Sequence, residues 1–200
     1  IVNVKKAKDK IYFLELFHGK TLAFKDVALQ VLPNLLSVSK KKNNINEKTI
    51  ILTATSGDTG SAALAGFEGK EDVEMIVLYP NQGVSEIQEK QMLQYESKTR
   101  HIYAVEGNFD DCQNLVKKIF SEENNKNLSS ANSINIGRLI PQIVYYFYAY
   151  FRIARKKEKI NVVVPTGNFG DILAGYIAKE MGLPIEKLIC ASNQNNVLED

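Results

Sequence analysis

Thr49-Ile50-Ile51-Leu52-Thr53-Ala54-Thr55-Ser56-Gly57-Asp58-Thr59-Gly60-Ser61-Ala62-Ala63-Leu64-Ala65 changes character twice within seventeen residues. Its first six residues are β-branched or apolar and read as a short buried strand, whereas its Ala-rich end reads as a helix. The glycine turn between them makes the unit strand, turn, helix. The same plan returns at Ile160-Asn161-Val162-Val163-Val164, which runs through Pro165-Thr166-Gly167-Asn168-Phe169-Gly170-Asp171 into Ile172-Leu173-Ala174-Gly175-Tyr176-Ile177-Ala178-Lys179. A helix N-terminus offers unpaired N–H groups and a partial positive charge, and glycine lets the backbone close around an anion. Each turn is therefore a candidate phosphate or carboxylate site. Neither turn has the G-x-G-x-x-G or G-x-x-x-x-G-K-[ST] spacing of the nucleotide-binding fingerprints.

Working outward, strands are expected at Ile11–Leu16, Thr49–Ala54, Val73–Tyr79, His101–Val105, Asn161–Val164 and Leu188–Ala191. Helices are expected at Phe24–Ser37, Thr59–Phe67, Ser85–Tyr95, Phe109–Ser121, Ile136–Arg155 and Asn168–Met181. This alternation predicts an α/β fold of parallel sheets covered by helices on both faces, a three-layer αβα arrangement. The Lys/Asn-rich loop Lys40–Glu47 and the polar stretch Glu122–Asn127 are expected to cross between two lobes.

Lys25 is the first catalytic candidate. It follows a glycine turn in Leu16-Phe17-His18-Gly19-Lys20-Thr21-Leu22-Ala23-Phe24-Lys25-Asp26 and stands among Ala23, Phe24 and Val27. Apolar neighbours disfavour an ammonium, and a neutral amine is what attacks a carbonyl to make a Schiff base. A lone lysine of this kind more often lays its stem on apolar surface and keeps its head in water. Two candidate anion-binding turns together with Lys25 favour an enzyme holding an anionic cofactor and an anionic substrate beside a Schiff-base lysine.

Composition narrows the class without choosing within it. The 200-residue chain balances 25 Lys and Arg against 23 Asp and Glu, a net charge of +2 that gives no argument for nucleic acid. The runs Lys40-Lys41-Lys42 and Arg155-Lys156-Lys157 are expected to be solvated. Cys112 and Cys190 stand far apart, so neither a metal nor a disulfide framework is expected, and a reducing compartment, the cytoplasm, suits them. The apolar run Ile143–Phe151 is much shorter than the roughly 20 residues of a membrane helix. The aromatic run Tyr145–Tyr150 is expected to pack in a core, and Asp110 and Asp111 to serve a helix start.

His18–Asp26, Ala54–Gly60, Ser85-Glu86-Ile87-Gln88-Glu89-Lys90, Ser130-Ala131-Asn132-Ser133-Ile134-Asn135-Ile136-Gly137-Arg138 and Gly167–Asp171 occur in the order found in threonine synthases. The chain resembles that family from about Phe13 to its end. The resemblance implies a fold type II pyridoxal-phosphate enzyme that converts O-phospho-L-homoserine and water to L-threonine and phosphate, acting as a monomer or homodimer. It implies parts of a large cofactor-binding domain at residues 1–44 and 131–200, with a small inserted α/β domain at 45–130. It also implies that Lys25 holds pyridoxal 5'-phosphate, that Gly167, Asn168, Phe169 and Gly170 cradle its phosphate, and that Asp58 lies near its ring. Ser56, Gly57 and Thr59 would take the substrate carboxylate, and Ser133, Asn135 and Arg138 the departing phosphate.

Two positions depart from the family pattern: Lys20 stands where proline is common, and Gly83 where a basic residue often precedes Ser85 and Gln88. The resemblance further implies a longer enzyme with parts before Ile1 and beyond Asp200, the latter supplying a hydroxyl to the pyridine nitrogen. The alternatives are another lyase of the same fold type, such as a threonine/serine dehydratase or an O-acetylserine sulfhydrylase, and a non-catalytic phosphate-binding remnant. A phosphate site at Ser133, Asn135 and Arg138 separates the first alternative from threonine synthase, because a dehydratase substrate has no γ-phosphate.

Overall fold

The computed structural model describes residues 2–122, 127–155, 157–165 and 167–192. Its elements are β1 (Asn3–Lys8), β2 (Ile11–Glu15), α1 (Lys25–Lys42), β3 (Thr49–Ala54), α2 (Asp58–Gly66), β4 (Val73–Pro80), α3 (Glu86–Leu93), β5 (Arg100–Val105), α4 (Phe109–Glu122), β6 (Leu128–Ser129), α5 (Ile136–Ile153), β7 (Ile160–Pro165), α6 (Gly170–Glu180) and β8 (Ile185–Ala191). They divide into two compact units, one spanning Leu16–Arg138 and the other Val2–Glu15 with Leu139–Asp200.

The first unit is built on a wholly parallel sheet of order β5-β4-β3-β6. Alternation along β3 and β4 sends side chains to opposite faces. Ile51, Val73, Met75, Val77 and Tyr79 join Leu29 and Leu32 of α1, Ala63 and Leu64 of α2, and Met92 of α3. Leu52, Ala54 and Leu78 pack instead with Cys112 and Val116 of α4. Helices therefore cover both faces, as the alternating pattern predicts. The helices on the first face approach closely: a Cβ on Gly66 would lie 2.1 Å from the Leu29 carbonyl oxygen.

The second unit holds the antiparallel pair β1-β2 and the parallel pair β7-β8. Ile11–Leu16 was expected among parallel strands; residues 11–15 instead form β2, paired antiparallel with the unforeseen β1. Tyr148 Oη donates to the Val2 carbonyl at 3.1 Å and ties α5 to this hairpin. Tyr145, Tyr146 and Tyr150 are buried, as an aromatic core helix requires. Tyr146 packs against Gly175 of α6, where a Cβ would come within 2.5 Å of its ring.

One charge expectation needs correction. Lys40 is not solvated loop: it lies in α1, is buried, and pairs with Asp72 Oδ2 at 3.0 Å and the Asp72 carbonyl at 3.2 Å. That anchor carries α1 to residue 42, past the expected end at Ser37. On β5, His101 Nε2 lies 3.2 Å from Glu74 Oε1 of the neighbouring strand. Asp110 and Asp111 do serve a helix start: both backbone N–H groups donate to Asn108 Oδ1, and the Asp111 carboxylate accepts from Asn108 N–H at 2.7 Å. Lys156 and 123–126 fall outside the described residues. Among the described residues no helix is long and apolar enough to cross a membrane.

Candidate active site

The N-termini of α1, α2 and α3 stand at the carboxyl edge of the parallel sheet, where α/β folds place their ligands. Lys25 is the first residue of α1 and Asp58 the first of α2. Their side chains meet, with Lys25 Nζ 3.5 Å from Asp58 Oδ2. The lysine side chain is 15% exposed and its ammonium lies 5.3 Å from the Phe24 ring centroid. Burial pushes the Lys25 pKa down, Asp58 pulls it up, and the Arg138 guanidinium pushes it down again, for a net lowering. The amine thus sits closer to its neutral, nucleophilic form than a surface lysine does.

The loop before Lys25 is held by a buried staple. Asp26, 1% exposed, accepts from the Thr21 N–H at 2.8 Å through Oδ2 and from Thr21 Oγ1 at 2.5 Å through Oδ1. Leu22 inside that loop takes a left-handed backbone, φ 60, which a branched side chain rarely adopts. Gly19 has no room for a side chain, because a Cβ would meet the Asp26 carboxylate. His18 is exposed, its ring tilted by 41° against that of Phe17 with centroids 4.7 Å apart. Lys20 pairs with Glu68 at 3.3 Å on the surface.

Thr55 builds the second loop: its Oγ1 accepts from the Gly57 and Gly60 N–H groups, each at 2.9 Å. Gly57 is buried with φ 130, a backbone open to glycine alone, while Ser56 is exposed and Thr59 buried. Gln88 Nε2 donates to Asp58 Oδ1 at 2.8 Å and so fixes the oxygen that does not face Lys25.

The third segment follows β6. Asn132 clamps β3 like an extra strand residue, donating to the Ala54 carbonyl at 2.8 Å and accepting from the Ala54 N–H at 3.1 Å. Asn135 spends its side chain on structure: Oδ1 accepts from the Gly137 N–H and Nδ2 donates to the Ser130 carbonyl at 2.7 Å. Arg138 is 2% exposed, its Nη1 donates to the Ala131 carbonyl at 2.8 Å, and its charge acts on Lys25. It is no exposed surface pair. Ser133 is half-buried in the same loop.

Lys25 and Asp58 therefore meet within the first unit, where the Arg138 charge also acts on the lysine. Gly57 precedes α2, Thr59 lies in its first turn, and Ser133 and Asn135 belong to the loop before α5. Sequence reasoning missed Thr21, Thr55, Asn132 and the Gln88–Asp58 contact. One signal was available: Ser85-x-x-Gln88 is a capping box, observed here at the start of α3.

In the second unit, Gly167 and Asn168 are exposed, and Phe169 precedes α6. The left-handed residue is Phe169, φ 58, and not a glycine as a glycine-rich turn leads one to expect. A Cβ on Gly167 would meet nothing within 4 Å, so space remains beside this loop. Gly170 is the buried first residue of α6. Thr166 falls outside the described residues. Tyr146 Oη donates to the Asp171 carbonyl at 2.8 Å and to Asp171 Oδ1 at 3.0 Å, which pins the first turn of α6.

Threonine synthase of Eremothecium gossypii is 49% identical over 207 aligned residues, an alignment covering 98% of this chain and 40% of that protein. The crystal structure of pyridoxal-phosphate-bound threonine synthase from Brucella melitensis superposes with a TM-score of 0.84 at 45% identity, covering 98% of this chain and 43% of that one. The Escherichia coli threonine synthase structure gives a TM-score of 0.87 at 40% identity, covering 98% and 46%. The chain thus spans less than half the length of these relatives. Residues 3–199 match the family described as pyridoxal-phosphate dependent enzyme, and with a desolvated lysine facing a carboxylate at the carboxyl edge of a parallel sheet, the chain belongs to that family.

Proposed function

We propose that the full-length protein is a threonine synthase, converting O-phospho-L-homoserine and water to L-threonine and phosphate. One observation carries the reading: in a chain this similar to threonine synthases, the Lys25 amine is desolvated, paired with one carboxylate, Asp58, and within the field of one guanidinium, Arg138.

The residues present fit pyridoxal 5'-phosphate. Lys25 supplies an amine of lowered basicity for covalent attachment. The loop Gly167–Gly170 supplies backbone N–H groups at the start of α6 with open space beside Gly167. When bound, the cofactor serves as the electron sink for carbanions adjacent to the substrate amine. Lys25 would hold the cofactor and, as a free amine, would move protons at the substrate Cα and Cβ. Asp58 sets its carboxyl group 3.5 Å from the lysine amine and would stand near the cofactor ring. Arg138 offers a planar fork to phosphate oxygens, with Ser133 and Asn135 beside it, and Ser56, Gly57 and Thr59 form the loop assigned to the substrate carboxylate. Asn135 would contribute with the capacity left beyond its helix-capping bonds.

The reading extends to a monomer or homodimer in the cytoplasm, with residues 1–44 and 131–200 belonging to a large domain and 45–130 to a small inserted one. Borohydride reduction of the full-length protein loaded with pyridoxal phosphate should place the label on Lys25 in peptide maps. A label on Lys20 or Lys90 refutes the assignment. Arg138→Ala should cut turnover of phosphohomoserine roughly ten- to a hundredfold, the loss of about 1.5–3 kcal/mol from one charge-assisted bond. Its slow elimination of serine, which carries no phosphate, should fall much less. Equal losses in both reactions would favour a dehydratase-like lyase with a structural arginine.

A further inference from the structure

We propose that Gln88 is a positioning residue, whose amide, locked by the Ser85 capping box, holds the Asp58 carboxylate toward the Lys25 amine. The proposal rests on the reading of Lys25 as the reactive amine and adds a fourth helix, α3, to its surroundings.

The amide of Gln88 has no freedom to flip. Its Oε1 accepts from the Ser85 N–H at 3.1 Å and from Ser85 Oγ at 3.1 Å, while Ser85 Oγ accepts from the Gln88 N–H at 3.2 Å. With the oxygen committed to donors, the Nε2 end must be the one that faces Asp58, and it donates to Oδ1 at 2.8 Å. That leaves Oδ2 as the oxygen 3.5 Å from Lys25 Nζ. Asp58 needs such a tether because its side chain is 46% exposed, and a half-exposed carboxylate otherwise turns to water.

Gly57 is the space that makes the contact possible. A Cβ there would lie 2.4 Å from Gln88 Cδ, 2.6 Å from Nε2 and 2.7 Å from Oε1, so the amide lies flat on the glycine. The glycine of this turn therefore has a second task besides its φ of 130.

The groups acting on Lys25 come from three elements. Asp58 at the start of α2 favours the ammonium, Arg138 at the start of α5 disfavours it, and burial within α1's surroundings disfavours it most. Asp26, one residue on in α1, is occupied by Thr21. A carboxylate that turns away leaves burial and Arg138 unopposed, so the amine becomes neutral at lower pH and more reactive at neutral pH.

The test is competitive acetylation with acetic anhydride, read at Lys25 by peptide mapping across pH. It uses full-length protein freed of cofactor, with folding checked by circular dichroism. Asp58→Asn should raise Lys25 reactivity near pH 7 roughly three- to tenfold. Gln88→Met, similar in length but without the N–H donor, should raise it in the same direction, and Asp58→Asn/Gln88→Met should go no further than Asp58→Asn. Ser85→Ala, which leaves Gln88 and Asp58 in place, should give a smaller rise and stands in if Gln88→Met fails to fold. Wild-type reactivity in Gln88→Met and Ser85→Ala, with Asp58→Asn raised, overturns the proposal alone. Wild-type reactivity in Asp58→Asn overturns the Lys25–Asp58 pairing and the proposal with it, whereas a borohydride label elsewhere than Lys25 is the separate failure of the functional reading.

Discussion

Gly66→Ala sets two effects of opposite sign against each other, and the structure decides between them. Gly66 ends α2 where α1 passes, and the added methyl group would lie 2.1 Å from the Leu29 carbonyl oxygen and 2.7 Å from its carbonyl carbon. Both are backbone atoms, so neither can swing aside as a side-chain tip would. Leu29 is fully buried beneath α2 and has no vacant space to retreat into. The helices must part by roughly 1 Å to restore an ordinary van der Waals distance, an overpacking that costs about 1–3 kcal/mol. In favour of alanine stands helix propensity, worth at most about 1 kcal/mol in a helix interior and less at a final residue. The clash wins, and urea unfolding of the full-length protein should show a loss of about 1–2 kcal/mol. Gly182→Ala is the comparison: its φ is 98 but nothing lies within 4 Å, so strain alone should cost about 1–2 kcal/mol without disturbing α1. Because α1 and α2 begin at Lys25 and Asp58, Gly66→Ala should also alter the acetylation profile of Lys25, which Gly182→Ala should leave alone. A Gly66→Ala protein as stable as the parent would refute the close-packed crossing.

Thr21→Val keeps the shape of the loop before Lys25 but strips Asp26 of its hydroxyl partner, leaving a buried carboxylate oxygen unsatisfied. The expected cost is about 1.5–3 kcal/mol in the same unfolding assay, with Thr21→Ser recovering most of it. Tyr146→Phe removes the donor to Asp171, whose pKa is raised by burial and held back by that hydroxyl. A carboxyl raised in the folded state binds its proton more tightly than when unfolded, so its contribution is present below the unfolded pKa and is lost as pH rises through the folded one. Loss of the hydroxyl raises it further. The Tyr146→Phe penalty should therefore grow from about pH 4 toward neutrality, and a penalty independent of pH in thermal melts would contradict the assignment.

The scaffold was legible because it is local. Ile51 and Leu52 point to opposite faces of one sheet, and a strand bounded by a glycine turn and an Ala-rich helix displays that in seventeen consecutive residues. β1 was hidden for the converse reason: Asn-Val-Lys-Lys-Ala-Lys is almost wholly exposed and carries no alternating pattern, so only its pairing with β2 makes it a strand. The candidate site divides along the same line. Lys25 was marked by its apolar neighbours, but what tunes it lies far away in sequence. Asp58 and Arg138 act on it from other helices, and Gln88 reaches Asp58 across thirty positions. Asn132 reaches Ala54 across seventy-eight. Periodicity carries no information about such bonds, since a polar side chain looks alike whether it meets water or a partner. What the sequence did hold was their local half: the capping box that locks Gln88, and the glycine at 57 that gives it room. Gly57 satisfies two constraints at once, a φ that excludes side chains and a surface on which an amide must lie. A residue bound by two independent demands is harder to replace than one bound by either, and the same holds for Arg138, which both donates to the Ala131 carbonyl and biases the charge on Lys25.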